Sequence, residues 1–173
     1  MEATEFITIA LGRLPRTLHV ALDGATPAQL TEQPGDQSNT IAWLVWHLTR
    51  IQDRVISELA GREQAWVTDG WCQQFGRAAD ASETGMGWPA ERATDIQPES
   101  AQLLWDYYEA VAKRTAVYLQ GVKPGDLDRQ LDPANAEATV GFRLAVCLSD
   151  NVQHAGQAAY LRGLIEGKKV YPS

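Results

Sequence analysis

The sequence predicts an all-α protein, a four-helix bundle with a long connection between its second and third helices. Four long stretches repeat apolar residues at intervals of three and four. Their ends carry helix punctuation, with Pro, Ser, Thr or Asn near the starts and Gly at the stops. No stretch alternates convincingly with the period of a strand. Long amphipathic helices without strands bury their apolar faces against one another.

The first helix is expected from about Thr4 to Asp23, with Leu11, Leu14, Leu18 and Leu22 at helical spacing. Pro15 lacks an N–H and crowds the preceding turn, so it should kink this helix or move its effective start. Gly24 is the stop. Thr26 and Pro27 then cap a short turn around Leu30, which Pro34-Gly35 ends. The second helix carries Ile41, Leu44, Leu48, Ile51, Val55 and Leu59 as one apolar stripe. Its expected N-cap is Ser38 or Asn39, and Gly61 ends it. Residues 62–97 break the pattern and hold Trp66, Trp71, Trp88 and several glycines. A segment this long with little periodicity is either a functional lid or a loop that packs its tryptophans onto the bundle. The third helix opens near Pro98 and runs through Leu104, Tyr108, Val111, Thr115 and Tyr118 to Gly121. Residues 122–137 form a polar, proline-bearing connection. The fourth helix spans about Ala138 to Glu166.

A chain of 173 residues is most simply one domain, residues 1–173, large enough for a substantial core. The net charge of −7 and the lack of a basic patch argue against nucleic acid. Arg50, Arg54 and Arg62 lie among Asp53 and Glu58, which reads as a salt-laced helix face. The N-terminus has acids where a signal peptide needs bases, and the longest apolar run, Ile41 to Leu48, is far too short for a membrane span. Cys72 and Cys147 lack CxxC spacing and suit free thiols in a reducing cytoplasm. The expectation is a cytoplasmic protein with no nucleic-acid or membrane partner.

The chemistry concentrates on the fourth helix. Val140, Leu144, Cys147, Asn151, His154, Ala158, Leu161 and Ile165 share one stripe, with Asp150 on its edge. Asp150 and His154 lie one turn apart on this core-facing side, where an unpaired carboxylate would be costly. An Asp–His hydrogen bond, a salt bridge to arginine and a shared metal each solve that problem, and the spacing does not choose among them. His47 sits on a shoulder of the second helix with Trp43, Arg50 and Arg54, a place that could line a cleft. There Arg50 and Arg54 are candidate binders of an anionic ligand with Trp43 as a wall. The plainer alternative pairs Arg54 with Glu58 and leaves Arg50 hydrated. His19 has no ligand-type neighbour at helical spacing, Cys147 reads as a core thiol, and Cys72 shows no base nearby in sequence. No phosphate loop, dinucleotide fingerprint, nucleophile elbow or HExxH motif occurs.

ALDGATPAQLTEQP, SNTIAWLVWHLTRIQD and the later QHAGQAAYLRG resemble the DinB/YfiT-like superfamily over most of the chain. The branch it looks most like is the one shared with mycothiol-dependent maleylpyruvate isomerase. The resemblance implies a four-helix bundle that binds a divalent metal through three side chains. Carried over position by position, those are His47, Asp150 and His154. Many members have histidine where Asp150 stands, whereas the isomerase branch places a carboxylate four residues before its histidine. The implied metal is Zn²⁺ first, with Ni²⁺ or Fe²⁺ as alternatives, and the implied cosubstrate is a low-molecular-weight thiol. The implied activity is thiol S-transfer or isomerisation on a small-molecule electrophile. Metal-assisted hydrolysis and a non-catalytic metal-binding stress-response role are the alternatives. Family analogy is also compatible with a homodimer.

Overall fold

The computed structural model describes residues 1–169. All regular elements among them are helical, and one isolated antiparallel bridge joins Gln130 to Thr139. The expected first helix is two helices, α1 (Ala3–Leu11) and α2 (Leu14–Leu22), broken at Gly12 and Arg13. Pro15 occupies the first turn of α2, where its missing N–H loses nothing and its fixed φ favours the start. Ile7 and Leu11 on one piece and Leu14, Leu18, Ala21 and Leu22 on the other still feed one core. Thr26 caps the short α3 (Pro27–Thr31) through a reciprocal box with Gln29.

The N-cap of α4 (Ile41–Leu59) is Thr40, not Ser38 or Asn39. Its hydroxyl accepts from the Trp43 N–H at 3.0 Å and donates to the Ala93 carbonyl at 3.2 Å. This helix departs most from its sequence pattern. Every residue except Arg54 and Glu58 is buried, rather than a single stripe. It packs against α7 (Ala101–Gly121) and α8 (Val140–Glu166), and residues 62–97 cover the remainder. That covering segment contains two single turns, α5 (Ala65–Thr68) and α6 (Trp71–Gln74), and a 3₁₀ turn at Ala90–Asp95.

Asp53 holds the start of the covering segment. Its carboxylate accepts the N–H groups of Ala65 and Trp66 at 2.9 and 2.8 Å, and the hydroxyls of Ser57 and Tyr107 at 3.3 and 3.1 Å. Four donors compensate a buried charge that would otherwise be prohibitive. Asp53 is thus no part of a solvated salt-laced face, and Glu58 pairs with Arg143 of α8 at 2.6 Å rather than with Arg54. The third long helix begins at Ala101 under a Ser100 cap, three residues later than Pro98, because Ser100 supplies the side-chain acceptor for the Leu103 N–H. Thr139 caps α8 in the same way through Phe142. Besides α4, α2 lies along α8 and touches α7, and the helices share one apolar core.

Candidate metal centre

The middle of α4 and the middle of α8 bring His47, Asp150 and His154 together. One ligand atom from each lies within 4.8 Å of the others. Asp150 Oδ1 is 3.4 Å from His154 Nε2 and 3.7 Å from His47 Nε2. Asp150 and His154 meet because a four-residue step on a helix stacks side chains one turn apart. His47 arrives only through the packing of α4 on α8.

Both imidazoles are oriented from behind. Nδ1 of His47 donates to the Thr84 carbonyl at 2.5 Å, and Nδ1 of His154 donates to Gln157 Oε1 at 2.8 Å. A carbonyl can only accept, so a proton sits on each Nδ1, and in the neutral ring Nε2 keeps its lone pair. Trp43 stacks on the His47 ring at 4.5 Å and 6°, and meets the His154 ring edge-on at 5.9 Å. Its buried indole lies against Gly85, where an added Cβ would fall 2.8 Å from Trp43 Nε1. Gly85 has φ +79°, so this close approach uses glycine twice, for its backbone and for its missing side chain.

Two neutral imidazole lone pairs facing one carboxylate oxygen repel unless a proton or a metal cation lies among them. Burial alone would raise the Asp150 pKa. The charged forms of His154 and then His47, close beside it, outweigh that and pull the group down to about 2. Burial pushes His154 down, but the adjacent Asp150 carboxylate and the bond to Gln157 win and leave it raised. The other carboxylate oxygen, Asp150 Oδ2, is buried with no hydrogen-bond partner. In a tetrahedral zinc site with bonds of ~2.05 Å, neighbouring ligand atoms sit roughly 3.4 Å apart. The two edges to Asp150, 3.4 and 3.7 Å, are near that length, and all three ligand atoms lie within 4.8 Å of one another. The donor set, its spacing, the outward-held Nδ1 protons and the unpartnered oxygen all fit a divalent ion.

The substrate candidates divide. Trp43 does border the cluster. Arg50 is fully buried and its guanidinium is consumed: Nε bonds Glu83 O at 2.9 Å, Nη1 bonds Gln64 Oε1 and Tyr107 Oη at 2.8 and 3.2 Å, and Nη2 bonds Asp80 O and Ala81 O at 3.4 and 3.2 Å. All five of its N–H donors have protein acceptors, and Asp53 balances its charge at 3.5 Å. It is neither hydrated nor open to an anion. Arg54 lies two turns, about 10 Å, along α4 from His47. It lines a separate surface hollow of about 430 Å³ with Ser57, Glu58 and Arg62. His19 is exposed and stacks on Trp105 at 4.0 Å. Cys147 is a core thiol that burial, reinforced by Asp150, pushes up to about 12.

Thr84, Gln157 and Gly85 escaped the reading of the sequence. Gln157 follows His154 by three on one helix, a spacing that signals contact. The glycines flanking Met86 mark a turn, but nothing in the sequence says that the Thr84 carbonyl reaches a histidine 37 positions earlier.

The family model of the DinB superfamily matches residues 10–158. The chain belongs to the DinB superfamily. A solved structure, of a conserved protein from Enterococcus faecalis, aligns with this DinB-superfamily chain at a TM-score of 0.88 and 29% identity, covering 97% of this chain and 99% of that one. No curated protein matches. Among the described residues, no helix is long and apolar enough to cross a membrane.

Proposed function

We propose that this DinB-superfamily protein is a divalent-metal-dependent enzyme that activates a low-molecular-weight thiol, of the mycothiol or bacillithiol type, for S-transfer or for isomerisation by reversible addition. The observation that carries the metal reading is the convergence of His47 Nε2, His154 Nε2 and Asp150 Oδ1, with both Nδ1 protons held away by Thr84 and Gln157. A divalent ion with open positions lowers the pKa of a thiol or water bound to it. Zn²⁺ suits two imidazoles and a carboxylate, and Ni²⁺ or Fe²⁺ uses the same donors.

The protein's own groups supply the rest. The proton of an incoming S–H leaves to solvent, because Asp150, held down at about 2, stays ionised and its Oδ2 is buried. In S-transfer the S–C bond forms as the leaving group departs with its bonding pair. In isomerisation the added thiol departs again after rotation about the intervening bond. Trp43 walls the cluster with an apolar face. The nucleophile comes from outside, because both cysteines are buried and the Cys147 thiol stays protonated at neutral pH.

The test is a zinc titration of the protein and of His154→Ala, followed by thiol conjugation to a chromogenic electrophile with several thiols. One tight equivalent for the wild type and none for the variant is expected. Absence of uptake by the wild type refutes the metal centre. A loaded protein inert toward every thiol refutes thiol chemistry and leaves hydrolysis or a non-catalytic metal-binding role.

A further inference from the structure

Arg50 follows His47 by three residues on α4, yet the two are also joined the long way round, through residues 80–84. The buried guanidinium takes the carbonyls of Asp80, Ala81 and Glu83. The next carbonyl in the chain, that of Thr84, accepts the Nδ1 proton of His47. A guanidinium is planar and its donors are fixed in a fork, so three carbonyls seated on it define the path of the backbone that carries them. Gln64 braces the same run, accepting from Arg50 Nη1 at 2.8 Å and donating to Ala81 O at 3.1 Å. On the far side Gly85 is wedged against Trp43 and Trp46, which leaves the Thr84 peptide little room to move.

We propose that Arg50 is a positioning residue of the metal centre. It holds residues 80–84 so that the Thr84 carbonyl locks His47 in the tautomer whose Nε2 lone pair faces Asp150 and His154. Its importance for function rests on the metal reading above. The tautomer itself is a property of the metal-free protein and can be measured without it.

Lysine in place of Arg50 keeps the charge opposite Asp53 but cannot span three carbonyls. The experiment compares wild type, Arg50→Lys and Gln64→Ala. It reads ¹⁵N imidazole spectra for the His47 tautomer, zinc Kd by chelator competition, and thermal melts for folding. The wild type should show His47 protonated at Nδ1. Arg50→Lys should mix the tautomers and raise the zinc Kd roughly 10- to 100-fold, the range for lost support behind a metal-bound histidine. Gln64→Ala should shift both readouts in the same direction by less. A role confined to fastening the loop would lower the melting temperature while leaving tautomer and Kd unchanged, and that result overturns the proposal. Should Arg50→Lys fail to fold, Gln64→Ala decides by the same criteria. Should the wild type take up no zinc, the metal reading falls, and the tautomer comparison still decides the positioning role.

Discussion

Replacing Gly85 by alanine strains the candidate centre from behind, and the structure sets the size of the effect. The backbone there has φ +79°, a left-handed region that costs an L-residue about 1–2 kcal/mol. The added methyl would lie 2.8 Å from Trp43 Nε1 and 2.9 Å from Trp46 Cζ3. Neither indole is free to swing aside. Trp43 is stacked on His47, and Trp46 is fully buried between Trp66 and Trp88 at 5.9 and 5.6 Å. Forcing a methyl into a packed core adds roughly 1–3 kcal/mol. The sum is about 2–5 kcal/mol, and for a chain of this length each kcal/mol moves Tm by about 2–4 °C. The matched control is Gly87→Ala. Its φ is +73°, but nothing lies within 4 Å of the new methyl, so only the backbone strain of about 1–2 kcal/mol should appear. Thermal melts of the two variants therefore isolate the contact, with Gly85→Ala lower by at least ~2 °C. Zinc affinity should fall in Gly85→Ala alone, because displacing Trp43 moves the ring stacked on His47. Equal melts for the two variants would show that residues 84–87 do not press on the tryptophans as described.

The Cys147 thiol, pushed up to about 12, should be almost wholly protonated at pH 8. With Cys72 also buried, a disulfide reagent should titrate no thiols in the native protein and both after denaturation; rapid native labelling of Cys147 would contradict its burial. Asp150 has a folded pKa of about 2, below its ordinary value, so its contribution is complete above about pH 5 and fades as pH falls from 4 to 2. That contribution is roughly 2 kcal/mol. Metal-free Asp150→Asn should accordingly lose less stability than wild type across that window in acid-dependent denaturant melts, and parallel acid profiles would refute the coupling to the two histidines.

The helices were legible because their causes are local. Thr26 and Pro27 before a short turn, Pro15 as an interruption, and the leucines of α1 and α2 act over one or two turns, so spacing alone reports them. The errors at helix starts have the same origin. Ser38, Asn39 and Thr40 are all capping residues, and only the approach of Ala93 to the Thr40 hydroxyl distinguishes the last of them. Asp150 and His154 were readable as a pair for the same local reason. His47 could be joined to them only through a resemblance to a family.

Arg50 and Asp53 show where local pattern stops informing. Among polar neighbours on a helix they resemble a solvated face, yet both are buried, because residues 64–83 fold over them with carbonyls and N–H groups as partners and Tyr107 of α7 adds its hydroxyl. The sequence by itself determined that this chain is helical, where its long helices stop, and which carboxylate and histidine share a face. The tertiary structure alone decided that His47 meets them, that Thr84 orients it, and that Arg50 faces inward. Those outcomes depend on desolvated polar groups finding partners far away in the chain, and helical periodicity carries no information about such partners.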